Sequence, residues 1–230
     1  MKSIRLKHKT RRSVPAVVPN KYATIALMSK FKLTLEKAIP YLLIVAGIIG
    51  LISSFAITYD KMKLLENPSY RPSCNLNPII SCGSVMQSKQ GEAFGFPNPW
   101  LGLAAFAILL TIGMGMLAGA KFKRWFWLGL EAGTLFGIGF VHWLFFESVY
   151  RIHALCPWCM AVWVVVIASF WYVTLYNLQT GVIKLPKGKS WSKLGVFLRQ
   201  HHLDIIILWY LIIVFLIFKH FWYYFGSHLF

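Results

Sequence analysis

Charge is what this sequence has least of. Of its 230 residues, 24 are Lys or Arg and only seven are Asp or Glu, so charged residues make up 13%. A soluble domain carries roughly a quarter. Apolar residues reach 57%, and the two figures together exclude an ordinary water-soluble fold. Repeats and low-complexity tracts are lacking as well. No small-x-small site follows the first apolar run, which starts late and is long, so a cleaved signal peptide is not expected. Cysteine is scarce, with four residues, and none falls in the segments richest in Lys and Arg.

What is present in quantity is long apolar sequence. Crossing the hydrocarbon core takes about 20 apolar residues at 1.5 Å each, and five stretches qualify: 39–59, 100–120, 125–149, 157–176 and 204–225. The ten Trp, ten Tyr and eighteen Phe suit the two membrane interfaces. The expected fold is all-α, a polytopic membrane protein with a four-helix transmembrane bundle plus a fifth transmembrane helix. Three segments follow: a basic cytosolic tail 1–38, a bundle 39–178 with an outer loop 60–99, and a basic loop with the last helix, 179–230. A short interfacial helix is expected around 22–33.

The net charge of +17 first suggests nucleic acid, but its distribution points to lipid. With the amino terminus inside, segments 1–38, 121–124 and 179–203 hold eighteen of the 24 basic residues, as the positive-inside rule requires. The outer segments carry Lys61, Lys63, Arg71, Lys89 and Arg151, partly balanced by Asp60, Glu66 and Glu92. No nucleic-acid partner is expected. Gly129, Gly133 and Gly137 recur at i+4 and read as a ridge where a neighbouring helix approaches closely. Glu131 and His142 in the same span read as interface-reaching or internally paired side chains.

All four cysteines then fall on the outer side, where an even count implies disulfide chemistry. Cys156-Pro157-Trp158-Cys159 is a CxxC at a helix start, with Pro157 suited to the first turn. The free N–H groups and the dipole there favour a thiolate at Cys156. Cys74 and Cys82 enclose seven residues bent by Pro78, a spacing that suits a mobile loop bridge. The residues alone leave three chemistries open. One is a relay of mixed disulfides from a soluble partner to an acceptor at the membrane face. The others are two static disulfides and a thiolate metal site, although zinc sites usually pair two CxxC motifs.

Several motifs resemble the vitamin K epoxide reductase family. The run from Cys74 through Cys82 to Ser88 resembles its loop signature of two cysteines followed by a Ser or Thr. Asn98-Pro-Trp-Leu-Gly102 resembles its Asn-x-x-x-Gly at the second span, and Cys156-Pro-Trp-Cys159 opens the fourth span as the family's CxxC does. The disulfide bond protein B family, also four-span and quinone-coupled, has its pairs in the reverse order. The resemblance implies that Cys74 meets the redox partner, Cys82 exchanges with Cys156, and Cys159 faces a quinone and forms the adduct with it. Ser88 and Asn98 would lie near the quinone head, Asn98 as a donor to a carbonyl oxygen. Where animal members have a tyrosine one turn beyond the CxxC, this chain has Trp163, which cannot accept a hydrogen bond and favours plain quinone reduction over epoxide reduction. The implied protein is a bacterial-type, disulfide-forming inner-membrane member without a fused thioredoxin domain. It would reoxidise a thioredoxin-fold thiol oxidase acting in trans on the periplasmic face and pass the electrons to ubiquinone or menaquinone, with no metal.

Overall fold

A computed structural model describes residues 21–184 and 189–229; the first twenty residues of the basic tail lie outside them. Eight α-helices account for most of the described chain. Helix α1 spans Lys21–Glu66, α2 Cys82–Gln87, α3 Pro99–Leu117, α4 Arg124–Phe146, α5 Pro157–Gln179, α6 Lys189–Gln200, α7 His202–His220 and α8 Trp222–Leu229. Five helices are long and apolar enough to cross a membrane: Thr34–Glu66 of α1, α3, α4 with the π-helical turn Glu147–Ile152, α5, and α7. The chain is an all-α polytopic membrane protein.

Two boundaries differ from expectation. Residues 22–33 form no separate interfacial helix, because α1 starts at Lys21 and runs unbroken through Pro40. Nothing from Lys21 to Ala38 is a helix breaker, so propensity carries the helix straight into the span. The fifth span closes at His220 rather than near residue 225. The chain turns at Phe221, which is fully buried, and resumes as α8.

The bundle is built on α1, which packs along both α3 and α5, while α5 packs on α4. Helices α1 and α3 run antiparallel: Gly113 meets Pro40 and Ile44, Gly47 meets Leu110, Gly50 meets Phe106, and Gly102 meets Ser54. A Cβ added at Gly47 would sit 2.7 Å from that of Leu110, so this interface needs glycine to close. Where lipid supplies no hydrophobic drive, such backbone approach is what holds helices together. Around it, Ile39, Leu43, Phe106, Leu109, Val165 and Val173 form one apolar core.

Helix α7 lies outside the four, against α4 and α5. Trp209 Nε1 donates to His142 Nε2 at 3.0 Å, while His142 Nδ1 bonds the Ile138 carbonyl at 2.8 Å. Tyr210 donates to the Val164 carbonyl and Trp171 to that of His202. His142 is thus internally paired, and so is Glu131, which accepts from Thr174 at 2.6 Å and Asn177 at 2.8 Å. The glycine ridge on α4 behaves otherwise than expected. A Cβ added at Gly129 or Gly133 would touch nothing within 4 Å. Among the described residues α3 and α4 make no substantial contact with each other, and the ridge borders the gap between them.

Candidate functional site

The end of the bundle where α1 finishes and α3 and α5 begin carries all four sulfurs. Leaving α1, the chain turns at Asn67, whose Oδ1 accepts from the Ser69 N–H. A second Asx turn at Asn77 accepts from the N–H groups of Ile79 and Ile80, as asparagine does in turns. Those turns present Ile80 to Leu155 in an isolated parallel bridge. Leu155 N–H donates to the Ile79 carbonyl at 2.7 Å, and Ser81 N–H donates to the Leu155 carbonyl at 2.9 Å. Cys82 and Cys156 each follow this bridge within two residues. Two short segments far apart in sequence are thereby held side by side.

Cys82 opens α2, with Ser81 as its N-cap accepting from the Ser84 N–H. It is bonded to Cys74, with the Cα atoms 5.7 Å apart. Cys156 and Cys159 are both free thiols. The π-helical turn ends in His153, a left-handed residue (φ 56°), and Ser148 Oγ bonds the Ala154 carbonyl. The chain then enters α5 with Cys156 as N-cap and Pro157 at the first turn. Cys156 Sγ accepts from the Cys159 N–H at 3.4 Å. Cys82 and Cys156 are wholly buried and share an apolar cluster with Cys74, Ile57, Leu64 and Met86.

This setting holds the Cys156 thiol below its ordinary titration range. The Cys159 side chain, hydrogen-bonded to it, is the main cause, and the N–H groups of Cys159 and Trp158 add to it. Burial and the charge of Asp60 oppose them. A thiolate accepting hydrogen bonds at a helix N-terminus is stabilised in the same way.

Beneath the loop lies a cavity of about 480 Å³ between α1, α3, α4 and α5, a volume within the usual range for small-molecule sites. Cys159 is in its wall, whereas Cys74, Cys82 and Cys156 are not. Ser88, Asn98 and Trp163 line it too, so the structure brings every predicted quinone contact to one space with Cys159. Their bonds qualify the expected roles. Ser88 Oγ donates to the Val85 carbonyl and accepts from the Gly91 N–H, which makes it a loop cap as well as a wall residue. Asn98 clasps the same loop, donating to the Gln90 carbonyl at 2.7 Å and accepting from the Ala93 N–H at 3.0 Å. An amide has a second N–H, which leaves Asn98 one donor beyond that clasp. Trp163 is buried edge-on to Phe145. Gly129, Gly133 and Gly137 line the cavity; the first two leave open space, while a Cβ at Gly137 would meet Val166 of α5 at 3.4 Å.

Three groups here escaped the sequence reading. Lys61 lines the cavity, with Nζ 2.7 Å from the Met86 carbonyl and 2.8 Å from Glu92. Glu147, almost wholly buried, accepts from Gln90 and pairs with Arg151. Asp60 is buried beside Cys74. The first and last were counted as outer-loop charges flanking a span. The available signal was their place within the last turns of a helix, where one side faces the bundle.

The sequence profile of the vitamin K epoxide reductase family matches residues 41–174, which takes in α1 from its middle, the loop with both of its cysteines, the cavity and the CxxC. No curated protein matches the chain.

Proposed function

The chain belongs to the vitamin K epoxide reductase family, and from that membership we propose that it generates disulfides by oxidising a thioredoxin-fold partner and reducing a quinone. Family members are membrane oxidoreductases that act on disulfides with quinones. The observation that carries the finer reading is the division of the sulfurs. Cys74–Cys82 is a loop disulfide, and Cys159 of the neighbouring pair stands in the wall of a largely apolar cavity.

In this reading a partner dithiol reduces the loop disulfide through Cys74. Cys82 then attacks the Cys156–Cys159 disulfide at Cys156, and Cys159 leaves as a thiol facing the cavity; Cys74 next attacks Cys82, which closes the loop disulfide again and releases Cys156 as the second thiol. Two electrons and two protons pass from the Cys156/Cys159 dithiol to the quinone, giving quinol and restoring that disulfide. The Asn98 amide and the Lys61 ammonium favour the charge that develops on the quinone oxygens. The energetic requirement is modest, since about 30 mV between two-electron couples supplies about 1.4 kcal/mol. The catalytic unit is 39–178, with 1–38 and 179–230 as basic and membrane-anchoring additions. The loop faces the periplasm of a bacterial inner membrane, opposite the basic connections that hold Lys121, Lys123 and Arg124. The acceptor is ubiquinone or menaquinone.

The test pairs the purified protein with a reduced thioredoxin-fold oxidase and a soluble quinone, and follows quinone absorbance. Wild type should turn over while Cys159→Ala should not, and a Cys82–Cys156 disulfide should accumulate in Cys74→Ala. Quinone consumption that persists without Cys159 would sink the relay.

A further inference from the structure

Among the described residues, Asp60 is the one buried acid that touches a sulfur. It is 6% exposed. One carboxylate oxygen accepts from the Tyr70 hydroxyl at 2.9 Å, and the other lies 3.9 Å from Cys74 Sγ. Among the described residues no cation pairs with it. Lys61 turns to Met86 and Glu92, and Lys63 turns to Glu66. A buried carboxyl group held this close to an exchangeable sulfur is a candidate to move its proton. An asparagine would hold Tyr70 equally well, so anchoring that ring does not explain an acid. The ionisable groups in contact with Asp60 are Tyr70 and Cys74, both from the loop. Cys156 packs in one buried cluster with Cys74 and Cys82, and the charge of Asp60 is felt there.

We infer that Asp60 is the proton carrier of the inner exchange, moving one proton between Cys74 and Cys156 as Cys82 changes partner. This rests on the relay proposed above. When Cys74 attacks the Cys82–Cys156 bond, its thiol proton passes to the Asp60 carboxylate. The Cys74–Cys82 bond forms as the Cys82–Cys156 bond breaks, and Cys156 leaves as a thiolate that takes the proton from Asp60. One S–S bond replaces another, one proton is conserved, and no outside reductant or base is needed. The state in the structure, with Cys74–Cys82 closed and Cys156 a free thiol, is the product of that step. Water has poor access to sulfurs this buried, so a resident acid–base group is required where bulk solvent cannot serve.

The step can be isolated in full-length Cys159→Ala, which holds one disulfide and one thiol among Cys74, Cys82 and Cys156. After a pH jump, samples are acid-quenched and alkylated, and mass spectrometry reports whether Cys74 or Cys156 is the free thiol. Adding Asp60→Asn should slow relaxation at neutral pH by about a hundredfold, the lower range for general acid–base catalysis. The deficit should close at alkaline pH, where the thiols ionise unaided. Asp60→Glu should restore most of the rate, and Tyr70→Phe should cost far less than Asp60→Asn. A rate in Asp60→Asn equal to the parent's, or a deficit of the same size at every pH, overturns the inference. A parent in which the Cys82–Cys156 bond never forms at any pH overturns the relay itself, and the role of Asp60 with it.

Discussion

Cys156 is pulled both ways, and the balance can be tested one residue at a time. The hydrogen bond from Cys159 is the largest influence and lowers its titration, whereas Asp60 raises it. Cys159→Ala should therefore move the pH midpoint of Cys156 alkylation upward, and Asp60→Asn should move it downward, both read from iodoacetamide rates against pH. The same shift has a thermodynamic face. Because the folded thiol ionises below its unfolded value, it stabilises the reduced protein above the unfolded titration, and that stabilisation is lost as pH falls through the folded one. Cys159→Ala should flatten this pH dependence in thermal unfolding of the reduced protein. At this scale the sequence was readable for the cysteines, because a CxxC with proline at a helix start has a local signature. Asp60 and Lys61 had only their place in the last turns of a helix, which does not say which of them faces inward. A charge at the end of a span looks the same whether it meets water or a neighbouring sulfur.

Elements show a similar division between what has a local cause and what does not. Span number follows from apolar length, and α5 starts at Pro157 with Cys156 as its cap. The two glycine sets are the instructive case. Period four put Gly129, Gly133 and Gly137 on one face, but periodicity does not say whether that face meets a helix or a void. The structure assigns the close contact to Gly47, Gly50, Gly102 and Gly113 of α1 and α3. Gly47→Ala should thus lose about 1–3 kcal/mol by overpacking. Gly129→Ala should be neutral, or gain up to about 1 kcal/mol of helix propensity, while a larger Gly133→Leu should raise the KM for quinone by filling the cavity. Thermal midpoints and steady-state kinetics separate these outcomes. The Ile80–Leu155 bridge was invisible for another reason, since a single bridged pair of residues carries no pattern. Beside it, Ser81→Ala removes the cap of α2 and should cost about 1 kcal/mol, seen as roughly fivefold faster amide exchange at Ser84.

The whole molecule places its two kinds of chemistry on different sides of four sulfurs. Cys74 belongs to the loop, nearest the solvent end, and Cys159 belongs to the cavity, beside the gap that α3 and α4 leave between them. Between these ends Cys82 and Cys156 admit no solvent at all. On the proposed relay, a water-soluble thiol and a lipid-soluble quinone never share a binding space. The rate law inherits that partition. Each stroke finishes before the other substrate is needed, so double-reciprocal plots against thiol at several fixed quinone concentrations should be parallel. Lines that intersect would mean that both substrates must be held at once, which this separation of the sulfurs does not require.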